Sequence, residues 1–173
     1  MPPAAPEDLI KHSANVGADL NLVQASGGNT SWKSAGTVWV KGSGKRLKDA
    51  TSQQIFSQIN YGELSKNQII ACSDFTPYVV GTVLPSIEAN FHIMIDRPYV
   101  THLHSLAAIA FGVMKLPFTK YRDMLAGNGI SVLPYVRPGV ELAGAINAVP
   151  DFQNRILILE NHGVIFSSDN IAD

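Results

Sequence analysis

Tyr99-Val100-Thr101-His102-Leu103-His104 alternates in the manner of a β-strand, and an apolar helix from Leu106 to Met114 follows it. Residues two apart on a strand project to one face, so His102 and His104 can aim both imidazoles at a single point. A neutral imidazole is a nitrogen ligand well suited to zinc. Alone, such a pair is equally compatible with two histidines on a surface. His162 shifts the balance. It lies in Leu159-Glu160-Asn161-His162-Gly163, where a hydrophobic strand over residues 155–159 breaks into a glycine turn, a position at the rim of a sheet. Three imidazoles from two strands leave a fourth coordination position open, the pattern of a catalytic rather than a structural zinc.

Outward from that strand, helices and strands interleave. Leu9, Ala14, Val16, Leu20 and Val23 fall at helical spacing and predict a helix over residues 7–24, stopped by Ser26-Gly27-Gly28-Asn29-Thr30. Thr37-Val38-Trp39-Val40 reads as a strand running into a second glycine turn, Lys41-Gly42-Ser43-Gly44. Thr51 is placed to cap a helix reaching about residue 60, and Ser86 to cap one over 86–95. A strand at 130–133, a helix at 140–149 and a strand entering a loop at 165–169 complete the series. The expectation is an α/β fold of three layers, a central sheet between helices.

The 173 residues, 46% hydrophobic and 16% charged, suit one domain spanning 1–173. A formal net charge of −1 offers no broad basic surface for nucleic acid. Lys41, Lys45, Arg46 and Lys48 do cluster, either as a solvated loop or as a seat for a small anion. The single cysteine, Cys72, allows no disulfide within the chain and reads as a small core residue. No run approaches the ~20 apolar residues of a membrane span, and the first residues lack a secretory pattern, so a cytoplasmic protein is expected. The strand-to-loop ending leads one to expect that the native chain continues beyond Asp173.

Glu88 falls in the first turn of the helix expected at 86–95, four residues before His92. Carboxylates favour such turns through the helix dipole, yet Leu84-Pro85-Ser86-Ile87 is otherwise apolar. A carboxylate there, beside a metal, is suited to proton transfer. His92 reads either as a hydrogen-bonded core histidine or as support behind the ligands, and His12 as a surface residue. The two glycine turns offer backbone N–H groups and hydroxyls of the kind a phosphate uses, but neither has P-loop or dinucleotide spacing.

Five segments taken together resemble the class II aldolase/adducin family. They are Gly-Gly-Asn-Thr-Ser at 27–31, Lys-Gly-Ser-Gly at 41–44, Pro-Ser-Ile-Glu-Ala-Asn-Phe-His at 85–92, Thr-His-Leu-His-Ser at 101–105, and Glu-Asn-His-Gly-Val at 160–164. The resemblance covers about residues 7 to 168, in family order. It implies a mainly antiparallel central sheet between helical layers, a homotetramer, and zinc or another divalent metal on His102, His104 and His162. It implies a small phosphorylated sugar as substrate, with the phosphate on Gly28, Asn29, Ser43, Gly44 and Ser86. Members include aldolases for fuculose and rhamnulose phosphates, in which the metal stabilises an enediolate and the glutamate matching Glu88 shuttles the proton. Other members are an epimerase, a dehydratase, and adducin, whose domain has lost the metal ligands. Tyr121 lies in a stretch comparable to one that supplies a proton donor, or is an ordinary interface aromatic. Ile87 stands where several relatives carry a second hydroxyl, and the region that covers the aldolase site is not represented.

Overall fold

A computed structural model describes residues 5–114, 118–125, 129–149 and 156–171, with the side chains of 118, 119, 121 and 122 also outside the description. Eight strands form one sheet: β1 (Asn29–Ser34), β2 (Thr37–Lys41), β3 (Phe56–Asn60), β4 (Val79–Val80), β5 (Tyr99–Leu103), β6 (Ile130–Leu133), β7 (Ile156–Leu159) and β8 (Gly163–Ser168). Their order is β4-β3-β2-β1-β5-β8-β7-β6, and every pairing is antiparallel except β6 with β7. The helices are α1 (Glu7–Ala18), α2 (Lys66–Ala71), α3 (Ala89–Met94), α4 (Leu106–Val113), α5 (Phe118–Leu125) and α6 (Val140–Ala148). The three-layer, mainly antiparallel expectation is met.

Strand alternation sorts the core into two halves. Val38, Val40, Ile59, Val100, Leu157 and Ile165 pack with Ile69 of α2, Phe91 of α3 and Leu142 of α6. Trp39, Phe56, Leu103 and Val164, an odd number of positions away along the same strands, pack with Leu9 of α1, and Ala108 of α4 joins them. A strand's successive side chains leave opposite faces, so one sheet serves both layers. Burial of Leu9, Ser13 and Gly17 on α1 follows the same logic at helical spacing.

Three expectations need correction. Residues 51–60 do not form a helix: Phe56–Asn60 is β3, paired along its length with β2. Its Phe56 and Ile59 feed different halves of the core, which a strand buried on both sides permits and an amphipathic helix does not. The first helix ends at Ala18 rather than 24, and β1 begins inside the expected glycine stop, at Asn29. His12 is half-buried rather than a plain surface residue, its Nε2 meeting Thr101 Oγ1 at 2.9 Å. Helix α2 went unread although Ser65 and Gln68 form a complete capping box in front of its only buried residue, Ile69. Cys72 is half-buried and packs on the core as expected.

The β1–β2 hairpin turns on Ala35 and Gly36, both at positive φ, 47° and 76°. That pair of left-handed residues is what a two-residue type I′ turn requires. It sets Ser34 opposite Thr37 and Ser31 opposite Val40, and β1 in turn sets Asn29 opposite His102 on β5. Among the described residues no helix is long and apolar enough to cross a membrane.

Candidate metal centre

His102 leaves β5 on the α3 side of the sheet, and His104 follows it one turn of the alternation later, just past the strand. His162 enters from the turn between β7 and β8, where Asn161 takes a positive φ of 54°. One nitrogen from each ring lies within 4.8 Å of the other two, and the rings stand 4.8 to 5.2 Å apart. His102 Nε2 and His162 Nε2 are 3.3 Å apart. Two nitrogens each about 2.0–2.1 Å from a tetrahedral zinc would be separated by about that distance. The three histidines read from the sequence therefore do converge.

The surroundings fix how each ring presents itself. His102 Nδ1 donates to the Val164 carbonyl at 3.1 Å, leaving the Nε2 lone pair free for a ligand role. Close backbone packing makes room: a Cβ on Gly163 would come 2.2 Å from the Leu103 carbonyl, and one on Gly27 would come 2.6 Å from His104 Nδ1. Burial, reinforced by His104, pushes His102 down to about 3, and burial with the neighbouring His102 lowers His162 to about 4. Burial also lowers His104, against the pull of Glu88. Three neutral imidazoles are the form in which histidine binds a divalent ion.

Glu88 completes the cluster. It stands at the N-cap of α3 rather than within its first turn, and is 6% exposed. Oε2 accepts from Asn29 Nδ2 at 2.8 Å and lies 3.8 Å from His102 Nε2, while Oε1 lies 3.4 Å from His162 Nε2. Oε1 and His162 Nδ1 are buried without a hydrogen-bond partner. An orphaned carboxylate oxygen beside three imidazole nitrogens is the donor set of a divalent-metal site, and the residues fit such an ion.

The five residues expected around a phosphate separate into two groups. Ser43 and Ser86 line one cavity of about 180 Å³, with Asp74, Thr76 and Asn90, and Gly44 follows Ser43 in open space. Gly28 instead packs on the His102 carbonyl, and the Asn29 amide is engaged between Glu88 and His92. Ser86 Oγ accepts from the Glu88 N–H at 3.2 Å, tying the cavity wall to the carboxylate. Tyr121 lies on α5, and its side chain is outside the described residues.

Sequence reading missed Ser31 and Lys33 and did not foresee the surroundings of Lys41 and Asn29. Lys41, read with its basic neighbours as a solvated loop or a seat for a small anion, is buried and donates to the carbonyls of Ser26 at 2.6 Å and Lys45 at 2.9 Å. Burial lowers it to about 8, with Glu88 opposing. Asn29, Ser31 and Lys33 form a polar stripe on the inner face of β1, contacting Glu88 or His92. Three polar residues at alternate positions of a central strand are a signal that alternation alone makes visible. His92 unites its two readings, being fully buried and joined through Asn29 to Glu88.

The class II aldolase and adducin N-terminal domain family model matches residues 7–173. An uncharacterized oxidoreductase, YuxG, of Bacillus subtilis (strain 168) is 26% identical over 183 residues, covering 94% of this chain and 26% of that protein. The 3-oxo-tetronate 4-phosphate decarboxylase of Pectobacterium atrosepticum is 29% identical over 123 residues, covering 64% of this chain and 56% of its own. The chain thus spans a quarter to a little over half of these relatives. Among solved structures, the N-terminal class II aldolase domain of a Thermoplasma acidophilum protein superposes with a TM-score of 0.76, at 24% identity, covering 95% and 84% of the two chains. An L-fuculose 1-phosphate aldolase gives 0.60 at 21% identity, covering 96% and 78%.

Proposed function

The chain belongs to the class II aldolase and adducin family, and from that premise we propose that it is a zinc-dependent lyase. Its reaction breaks the bond between the α- and β-carbons of a small phosphorylated ketose, a retro-aldol cleavage in which the β-hydroxyl loses its proton as the aldehyde forms and the electron pair stays on the carbonyl fragment. The observation that carries this reading is the convergence of His102, His104 and His162 on one another beside Glu88, whose Oε1 lies 3.4 Å from His162 Nε2. When bound, the ion supplies a Lewis acid that draws charge off a substrate oxygen.

The chain's own groups do the rest. His102, held by Val164, and His104 and His162 keep their lone pairs directed at one point. Glu88 Oε1 faces the same point and is placed to take a proton from a substrate hydroxyl or return one to carbon. Ser43 and Ser86 offer hydroxyls to the substrate's phosphate, and the Lys41 ammonium lies near enough to Glu88 for the two charges to interact. The apolar helix α4 has no buried residue, with Leu106 and Val113 48% and 65% exposed, which supports a homo-oligomer that covers it. A cytoplasmic setting accords with the lone thiol.

A second reading is favoured by the decarboxylase relative: loss of carbon dioxide from a 3-oxo acid phosphate at the same site. Both reactions leave a carbanion beside a carbonyl, so one site serves either. Product analysis separates them. Zinc-loaded protein incubated with ketose 1-phosphates is expected to release dihydroxyacetone phosphate and an aldehyde, whereas carbon dioxide from 3-oxo-tetronate 4-phosphate alone would establish the decarboxylase. Protein that takes up no zinc, cobalt or manganese on dialysis would instead point to a non-catalytic, adducin-like module.

A further inference from the structure

We propose that Ser31 and His92 are positioning residues that act through Asn29 to decide which oxygen of Glu88 faces the substrate. Its catalytic meaning rests on the lyase reading, although its geometry does not. Behind the carboxylate runs an unbroken chain of contacts. Ser31 Oγ meets His92 Nδ1 at 2.7 Å, His92 Nε2 meets Asn29 Oδ1, and Asn29 Nδ2 meets Glu88 Oε2 at 2.8 Å. All four side chains are buried, His92 completely.

Chemistry fixes the direction of this chain. Asn29 turns its NH₂ group to Oε2, and an amide NH₂ group only donates. The amide oxygen then faces His92 and needs a donor, which places the imidazole proton on Nε2. Burial, with the positive charges around it, pushes His92 well below the usual histidine range, so the ring carries only that one proton. Nδ1 is therefore a bare lone pair, and the Ser31 hydroxyl donates to it. Each link is satisfied in this sense. The opposite sense would set the amide oxygen against the Oε2 that the amide NH₂ group now meets at 2.8 Å, and would place the NH₂ group against a ring nitrogen.

The consequence falls at the far end. Oε2 is occupied by a fixed donor, whereas Oε1 is buried without any partner and lies 3.4 Å from His162 Nε2. The relay thus leaves Oε1, which has no hydrogen-bond partner and stands on the His162 side, as the oxygen that faces the reacting molecule. Lys33 steadies the relay from behind, its Nζ donating to the His92 carbonyl at 2.8 Å.

The imidazole protons can be read directly, without substrate, by ¹⁵N–¹H correlation on histidine-labelled, metal-free protein. His92 should be neutral with its proton on Nε2, while His102, facing the Val164 carbonyl, carries its proton on Nδ1. The two fully buried histidines then show opposite patterns. Added zinc should shift His102 Nε2 and leave the His92 pattern alone, which also tells the two apart. In Ser31→Ala the two His92 nitrogen shifts should move toward each other as tautomers mix, with His102 unchanged. A His92 proton on Nδ1 in the unmodified protein, or a pattern indifferent to Ser31→Ala, overturns the proposal. Failure of zinc to move His102 counts against the metal reading instead, because the His92 pattern is measured independently of it. On any substrate that is turned over, Ser31→Ala should lower kcat about 10-fold with KM and metal content kept. An unchanged kcat would confine the relay to holding the core together.

Discussion

The two faces of the central sheet bury polar groups from the same strands and use them oppositely. Under α1, Thr30 and Thr101 sit opposite each other and are closed off by the helix: Ser13 Oγ meets Thr30 Oγ1 at 2.6 Å, and His12 meets Thr101. Beside them lies a groove of about 350 Å³ walled by Val16, Leu103 and Phe166. Under α3, one residue further along each strand, Asn29, Ser31 and His102 belong to a network that ends in an unpartnered carboxylate oxygen and a free imidazole nitrogen. A buried polar group that finds its partner holds a fold together; one left without a partner marks a place where something else is meant to bind.

The contrast can be broken most sharply at Glu88. Glu88→Gln should cut turnover by about 10²–10⁴-fold while the metal content stays the same, measured by steady-state kinetics beside elemental analysis. Retained turnover would remove the carboxylate from the chemistry. Next in size, His162→Ala should weaken zinc binding by at least about 100-fold in a competition titration, since even residues behind a ligand are worth 10–100-fold. Binding unchanged by that variant would leave the imidazole cluster without its assigned purpose.

The third test is acid. His102 and His162 are held at about 3 and about 4, below the value of about 6.5 they regain on unfolding. As the pH falls below about 6.5 the unfolded chain takes up protons that the folded one refuses, so stability is fully present above that pH and drains away below it. The loss is about 1.4 kcal/mol per pH unit for each histidine kept neutral. The urea midpoint of metal-free protein should therefore drop between pH 7 and pH 5, and an unchanged midpoint would contradict the burial argument. Least costly is the structural face. Ser13→Ala should cost about 1 kcal/mol in urea melts and leave zinc affinity alone. A change in affinity would show that the faces are not separate.

Much of the fold was legible because patterns survive packing. The strand through His102, the helices starting at Leu106 and Val140, and the strand Ile130–Leu133 fell within a residue or so of expectation. The pairing of His102 with His104 in the histidine cluster was legible because residues two apart along an extended chain share a face. What escaped was set by partners distant in sequence. Residues 56–60 become a strand only because β2 lies alongside, and Lys41 is buried only because loops fold over it. Asn29, read as a phosphate contact, donates to Glu88, 59 residues away. No local pattern encodes that meeting.

Ala35, at the tip of the first hairpin, sits in a conformation that most amino acids with a side chain avoid. That bend aligns the inner strands, and through them decides what stands across from His102. Asparagine, which accepts such a bend, should relieve about 1 kcal/mol there and raise the melting temperature with zinc affinity untouched. An engineer wanting a hardier protein would begin at that hairpin, where robustness and reactivity can be adjusted independently.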